Sequence, residues 1–461
     1  MRHSRNHRTP EILAAALLAL VLTTGGAGIA AAAFGDITLV GHIAFPTTTR
    51  ITNVWGYYSQ TTHKEYALVG DWTGGFFIVD VSNPSLPVQV SKVTTAPGFD
   101  LKPWDHYVYS CDGNGSGVDS RITNIANPAS PVVLPGMFRS SHTITMSTRG
   151  HMYTEYVGIT IYDLVNNPEH PDSLYKIFNF GHDSTWRKDR LYDFNWENMN
   201  IWDVTNPRQP VLIGSEDDPT VMSYHSGDIS KNGNYLYMCD ELAATPTPDR
   251  VVYNISNPAD PVRAVNISDS QSRVHQCYVV KDLLFVAYYV AGFKVFNITN
   301  PAAPVFTDSY DTSAYAGENG SDIYNGAYGV YPFTPSGIVY VSDHPNGLYL
   351  FSVEGHTGAV TAVEPRAPDL EVRLAQNHPN PFNPHTTITF ELASPAHARL
   401  AIYDVRGARV RTLVDRGLSR GAHAAEWNGD DDEGQRVSSG VYYYRLTAGD
   451  ASATRRMVLL K

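Results

Sequence analysis

The chain has 461 residues, of which 43% are hydrophobic and 17% charged, so it is long enough for two or three domains and too apolar to be disordered. A net charge of −12 argues against nucleic acid as a partner. The 28 Tyr, 36 Gly and 29 Pro are spread along the sequence, the profile of a turn-rich β protein.

Arg2, Arg5 and Arg8 precede an apolar run from Ile12 to Leu22, and Ala31-Ala32-Ala33 supplies small residues for cleavage. Residues 1–33 are therefore expected to be a signal peptide, with the mature chain starting near Phe34 in an extracytoplasmic compartment and no membrane span left after cleavage. The mature chain would carry 31 basic against 45 acidic residues, a net −14. Cys111, Cys239 and Cys277 allow at most one bridge; Cys239 and Cys277 lie in consecutive repeats, but buried free thiols are the preferred reading.

From residue 77 onward one motif recurs six times, an apolar strand ending in Asp or Asn and followed by an Asn-Pro turn. Its asparagines, Asn83, Asn127, Asn167, Asn206, Asn257 and Asn300, are 44, 40, 39, 51 and 43 residues apart, the period of a four-stranded propeller blade. The strand-ending Asp80, Asn124, Asp163, Asp203, Asn254 and Asn297 interchange freely, which points to turn formation and not to chemistry. Gly75, Gly158, Gly292 and Gly347 each precede an apolar strand, as a tight hairpin requires. Residues 325–354 repeat the strand pair without the Asn-Pro ending, and Ile37 to Phe45 has the pattern of the missing outer strand. Residues 34–355 thus read as a seven-bladed β-propeller closed by its own N-terminus.

Residues 356–372 read as a linker without periodicity, and residues 373–461 as a small β-sandwich. Its signals are the NPNPFNP entry from Asn377, a hairpin turning at Arg406-Gly407, Trp427, and a Tyr-rich strand before the end. The acidic turn Asp430 to Glu433 matches no calcium loop and is read as a solvated turn.

The FFIVDVSNP segment of the first repeat, GDISKNGNYLYMCDEL (227–242), YYVAGFKVFNITNP (288–301) and the closing NGAYGVYPFTPSGIVYVSD together resemble the choice-of-anchor B family, secreted proteins with an LVIVD-type repeat. That resemblance implies a propeller outside the cytoplasm and no set of catalytic residues. The C-terminal signals resemble the immunoglobulin-like module of the flagellar-hook-capping protein, also known as the type A sorting domain of type IX secretion. They imply a role in sorting or attachment through the secretion or envelope machinery.

No motif of a serine hydrolase, zinc protease, phosphate-binding loop or thiol redox centre occurs. The preferred function is a secreted or surface binding module whose ligand is an extracellular protein, glycan or small molecule. The alternative is a hydrolase, lyase or metal-dependent oxidase with its site at the channel. Counting back from each Asn-Pro turn locates the innermost strand, and four consecutive repeats place a histidine there: His142, His182, His225 and His275, spaced 40, 43 and 50 residues apart. Trp55, Asp100 and Tyr328 are assigned to the same slot in other repeats, with Asp183 and Asp228 beside two of the histidines. Equivalent positions should converge on the channel. Neutral imidazoles so gathered can ligate a transition metal, an arrangement resembling in outline the four-histidine iron site of carotenoid-cleaving propellers. The preferred reading is that each histidine bridges neighbouring blades through backbone hydrogen bonds, since four consecutive blades cover one side of a ring; no resident cofactor is expected.

Overall fold

The computed structural model describes residues 34–46, 49–113, 120–243, 249–268, 272–313, 324–357, 372–392, 396–419, 421–448 and 451–460. The expected signal peptide and residues 358–371 of the expected linker lie outside them. Among the described residues there is no α-helix, and every regular element is a strand.

Seven four-stranded antiparallel sheets make up the first part. Their innermost strands are Ile51–Ser59, Asp100–Trp104, Thr143–Met146, Asp183–Arg187, Tyr224–Ile229, Gln276–Val280 and Ala327–Tyr331. Each lies beside the next, and the seventh lies beside the first, so the sheets are the blades of a closed propeller. Six blades take their four strands in chain order. In the seventh, the outer strand is Ile37–Ile43, paired antiparallel with Gly347–Val353 from Ile37 opposite Val353 to Ile43 opposite Leu348.

The repeat motif turns the chain between the third and fourth strands. Asp80, Asn124, Asp163, Asp203, Asn254 and Asn297 each accept, through the side chain, the backbone N–H two residues on, at 2.8–3.0 Å. Each motif asparagine then closes a turn through its carbonyl, as Asn83 does with the Leu86 N–H at 2.9 Å. Between the second and third strands, Gly75, Gly158, Gly292 and Gly347 all sit at positive φ, from +73° to +106°. At Gly75 a Cβ would also lie 1.7 Å from the Val93 carbonyl oxygen, so no other residue fits.

Blades dock on one another's Asn-Pro turns. A Cβ on Gly41, Gly136 or Gly214, all in outer strands, would fall about 2 Å from the carbonyl of Pro84, Glu169 or Pro258 in the next blade's turn. Ser91 uses the same approach to donate its hydroxyl to the Pro128 carbonyl at 2.6 Å. Gly41 therefore marks Ile37–Ile43 as an outer strand like the others.

The C-terminal part is a sandwich of two sheets. One has Val372–Leu374, Thr386–Leu392 and Gly421–Trp427, and the other has Arg409–Leu418, Ala396–Tyr403, Gly440–Ala448 and Ala451–Leu459 in that order. Trp427 is fully buried with its indole N–H on the Asp430 carbonyl at 2.8 Å. The Tyr444 hydroxyl donates to the Ala375 carbonyl and accepts the Asn377 N–H, pinning the entry segment to the core. The acidic turn is more committed than a solvated run. Asp431 accepts the Glu433 and Gln435 N–H groups, Asp432 accepts that of Thr412, and Asp430 pairs with Arg411.

Closure by Ile37–Ile43 gives the ring no free start, so its loss should be felt throughout. Deletion of residues 34–46 is expected to lower the melting midpoint of the propeller by roughly 10 °C or more in a single transition. Differential scanning calorimetry checks this, and an unchanged midpoint with only local fraying would reject closure as a global constraint.

Candidate functional site

The inner strands start at one end of the ring, so the connections entering them and the hairpins between second and third strands share one face, the mouth of the channel. Backbone pairing sets which residue of each blade stands there. The N–H groups of Phe99, His142, His182 and His275 donate to carbonyls at the ends of the adjoining strands, those of Cys111, Glu155, Phe194 and Ala287, at 2.6–3.1 Å. His225 and Tyr328 occupy the same place within a bulge, each skipped by the pairing on either side.

These side chains form a collar. Ring centroids are 4.9 Å apart for Phe99 and His142, 4.3 Å for His142 and His182, and 4.6 Å for His182 and His225. The circuit continues at 4.9 Å to His275 and 4.0 Å to Tyr328, and Tyr328 returns to Phe99 at 6.3 Å. The four histidines occupy one arc, as their consecutive blades require, but the two aromatic rings complete the circle and hold them together.

Two assignments to this slot are corrected. In the second blade the slot belongs to Phe99, and Asp100 is one residue deeper. In the first blade a bulge between Ile51 and Val54 brings Thr52 and Asn53 to the mouth, and Trp55 lies below. Trp55, Asp100, Asp183 and Asp228 instead line a second level, an axial cavity of about 60 Å³ shared with Lys102 and Tyr278. That is room for a few waters and excludes a large ligand.

Each histidine is tied by Nδ1 to a backbone carbonyl. His182 reaches the carbonyl of His225 at 3.4 Å, His225 that of His275 at 3.0 Å, and His275 that of Tyr328 at 2.5 Å, each in the following blade. His142 turns back to Gly113 of the preceding blade. A carbonyl only accepts, so Nδ1 carries the proton and Nε2 presents a bare lone pair. Burial is the first cause that holds all four imidazoles below the ordinary histidine range, and the neighbouring imidazoles push His182 and His225 further down.

A second tier stands above the collar, built by the residues that follow the second strands. Trp72 packs on Phe99, Trp196 on His182, and Tyr289 on His275 at ring distances of 5.0–5.1 Å, while His344 packs on Tyr328. Glu241 faces His225, its Oε2 3.3 Å from Nε2, and its Oε1 accepts the Tyr289 hydroxyl. Sequence reasoning missed Phe99, Glu241 and Tyr289. The period alone would have pointed to the second tier, although its residue types differ from blade to blade.

Below the mouth, Asp100 is fully engaged. It accepts the Asn53 amide at 2.9 Å, the Lys102 ammonium at 2.7 Å and the Ile144 N–H at 2.9 Å. Lys102 also lies 4.3 Å over the Trp55 ring. Burial, reinforced by the charge of Asp100, lifts Asp183 to about 7, and burial lifts Asp228 to about 6. Between the third and fourth blades burial and the charge of Asp193 push Glu155 well above the carboxylate range, and burial raises Asp193 itself to about 7. Cys111, Cys239 and Cys277 are all buried, with the Cys277 thiol on the Tyr237 carbonyl at 3.4 Å.

Fold and mouth together define an all-β propeller protein whose C-terminal part is immunoglobulin-like. An LVIVD repeat model matches residues 63–95 and 277–312, in the first and sixth blades, and a FlgD Ig-like domain model matches residues 379–452. No curated protein matches the chain. Among solved structures it is similar to U3-55K, at 8% identity and a TM-score of 0.48 over 69% of this chain and 98% of that one. The RRP9 WD40 repeats give 8% and 0.49 over the same shares. A proposed 6-phosphogluconolactonase from Bacteroides fragilis gives 11% and 0.48 over 70% of this chain and 96% of that one.

A carboxyl lifted from 3.8 to about 7 keeps its proton in the fold while the unfolded chain ionises. Its contribution is complete below pH 4 and falls by about 1.4 kcal/mol per unit as pH rises towards 7. Asp193→Asn is therefore expected to gain stability relative to the parent as pH rises from 5 to 8, measured by urea unfolding at each pH. A difference that does not change with pH would show that Asp193 is already ionised in the fold.

Proposed function

We propose that the chain is an exported interaction protein of the choice-of-anchor B type. In this reading the propeller mouth recognises an extracellular ligand, and the Ig-like domain directs the protein to the envelope or holds it there. Exposed aliphatic side chains such as Val132, Val262 and Val305 line the outer strands, and the observation that carries the reading is a separate group of exposed aromatic and thioether side chains. Trp72 (46% exposed), Phe178 (88%), Phe180, Met222 and Tyr324 all sit in connections of the mouth face, around a collar whose own rings are largely covered. A rim of accessible aromatic and thioether groups beside a narrow channel suits a macromolecular or glycan surface better than a small molecule swallowed whole. The basic leader and its small-residue cleavage site support export, and the FlgD Ig-like match supports attachment.

The enzyme reading draws on one specific feature of the same mouth, the approach of Glu241 to His225. The two readings separate experimentally. Expressed with its leader, the chain should be recovered from the envelope or medium with an N-terminus near Phe34, and removal of residues 373–461 should shift it from envelope to medium. Against an array of extracellular glycans and envelope proteins, the mature chain should bind, and Phe178→Ala with Met222→Ala, the most exposed of these side chains, should lose that binding by tenfold or more without a change in melting. Cytoplasmic retention with an uncleaved leader would overturn the export reading. Turnover in a panel of hydrolase and oxidase substrates would replace binding with catalysis.

A further inference from the structure

At one arc of the collar, two imidazoles and a carboxylate offer ligand atoms that all lie within 4.8 Å of one another: His225, His275 and Glu241, each buried. Their hydrogen bonds fix which atoms meet. His225 and His275 spend Nδ1–H on the carbonyls of His275 and Tyr328, which aims both Nε2 lone pairs away from the blade joints. Glu241 has Oε1 occupied by the Tyr289 hydroxyl, and its Oε2 stands 3.3 Å from Nε2 of His225. Two acceptors at that distance repel unless a positive charge lies between them, and the carbonyls have already taken the only proton each neutral ring carries.

We propose that His225, His275 and Glu241 bind one divalent first-row transition-metal ion at the channel mouth, a site that rests on the mouth being the ligand-recognising part of the propeller. Two imidazoles with one carboxylate suit zinc, iron(II) or cobalt(II). Magnesium and calcium prefer all-oxygen shells, and copper(I) prefers sulfur. The backbone carbonyls on Nδ1 and the tyrosine hydroxyl on Glu241 are the outer partners that orient such ligands. Donor atoms in a bound shell stand roughly 3–3.5 Å apart, given bond lengths near 2 Å, so the group closes inward by about 1 Å on loading. Three protein ligands leave at least one position for a further donor, from water or from a bound ligand. His182 stands next along the collar, with its ring 4.6 Å from that of His225.

The mature chain, stripped with a chelator and dialysed, is titrated with cobalt(II) and zinc, reading cobalt d–d absorption, heat of binding and metal content. The expected result is one equivalent per chain with visible d–d bands. Because His225 and His275 also clasp neighbouring blades, the deciding variant is Glu241→Gln, which keeps the shape and the acceptor for Tyr289. It should weaken the metal by tenfold or more and shift the cobalt spectrum while melting like the metal-free parent. Exposed histidines elsewhere would bind equally in both proteins, so only the difference is diagnostic. Absence of stoichiometric metal, or equal affinity and spectrum in Glu241→Gln, overturns the site and leaves a proton between His225 and Glu241. Either result is read on purified protein and is independent of export and of binding at the rim, so the metal site and the interaction reading fail separately.

Discussion

The propeller depends on what satisfies the free edge of each innermost strand. That edge has no further strand to pair with, so its backbone groups need other partners. Side chains of the neighbouring blade supply them. Thr52, Thr143, Thr185 and Ser226 donate hydroxyls to the carbonyls of Gly98, His182, Gly227 and His275 at 2.5–2.7 Å. Asp100 accepts the Ile144 N–H, and Gln276 accepts that of Val330. At the joint between the seventh and first blades the backbone bridges directly, from Ile51 N–H to the His344 carbonyl, and Tyr331 packs on Gly56 and Trp55. The innermost strands are polar because they are clasps.

This constraint dissolves the opposition between a structural and a chemical role for the histidines. An imidazole has two nitrogens, and the clasp uses one. Nδ1 joins the blades and thereby fixes the tautomer of the neutral ring, which leaves Nε2 as an acceptor. A threonine in that slot would clasp equally well and offer nothing further. The carboxyls below follow a related logic. Asp100 is bonded to Lys102 and Asn53, whereas Asp183 and Asp228 have fewer partners and are pushed towards neutrality by burial.

The blade count, the closing strand and the turn chemistry were legible because each rests on a local rule that repeats. Asn-Pro turns and positive-φ glycines recur at a fixed interval, and Gly41 shares its close approach with Gly136 and Gly214. The collar was legible only where the residue type also repeated. Phe99 was passed over for Asp100 because counting back from a turn cannot resolve a single residue, and a one-residue slip sends a strand side chain to the other face. Bulges at Thr52-Asn53, His225 and Tyr328 add further offsets that no spacing records. Glu241 was passed over for a different reason. Its slot holds Trp72, Trp196, Tyr289 and His344 elsewhere, so nothing but position links them, and its pairing with His225 joins residues 16 apart through tertiary structure.

Topology also decides which face is free. A blade's third strand runs from the mouth to the opposite end, and its fourth returns. In the seventh blade the third strand ends at Val353 and the fourth begins at Ile37, so both enter and leave the ring at the face away from the collar. The backbone bonds of Gly35 to Glu354 and of Glu354 to Asp36 hold the two ends side by side there, and Lys281, from the hairpin at that same end of the sixth blade, donates to the Thr357 hydroxyl. Phe34 and Thr357, the described residues that end the propeller, therefore both lie at the face opposite the collar. The collar, the histidine arc and the exposed aromatic side chains of the mouth connections therefore stand at the opposite end of the ring from both ends of the propeller chain.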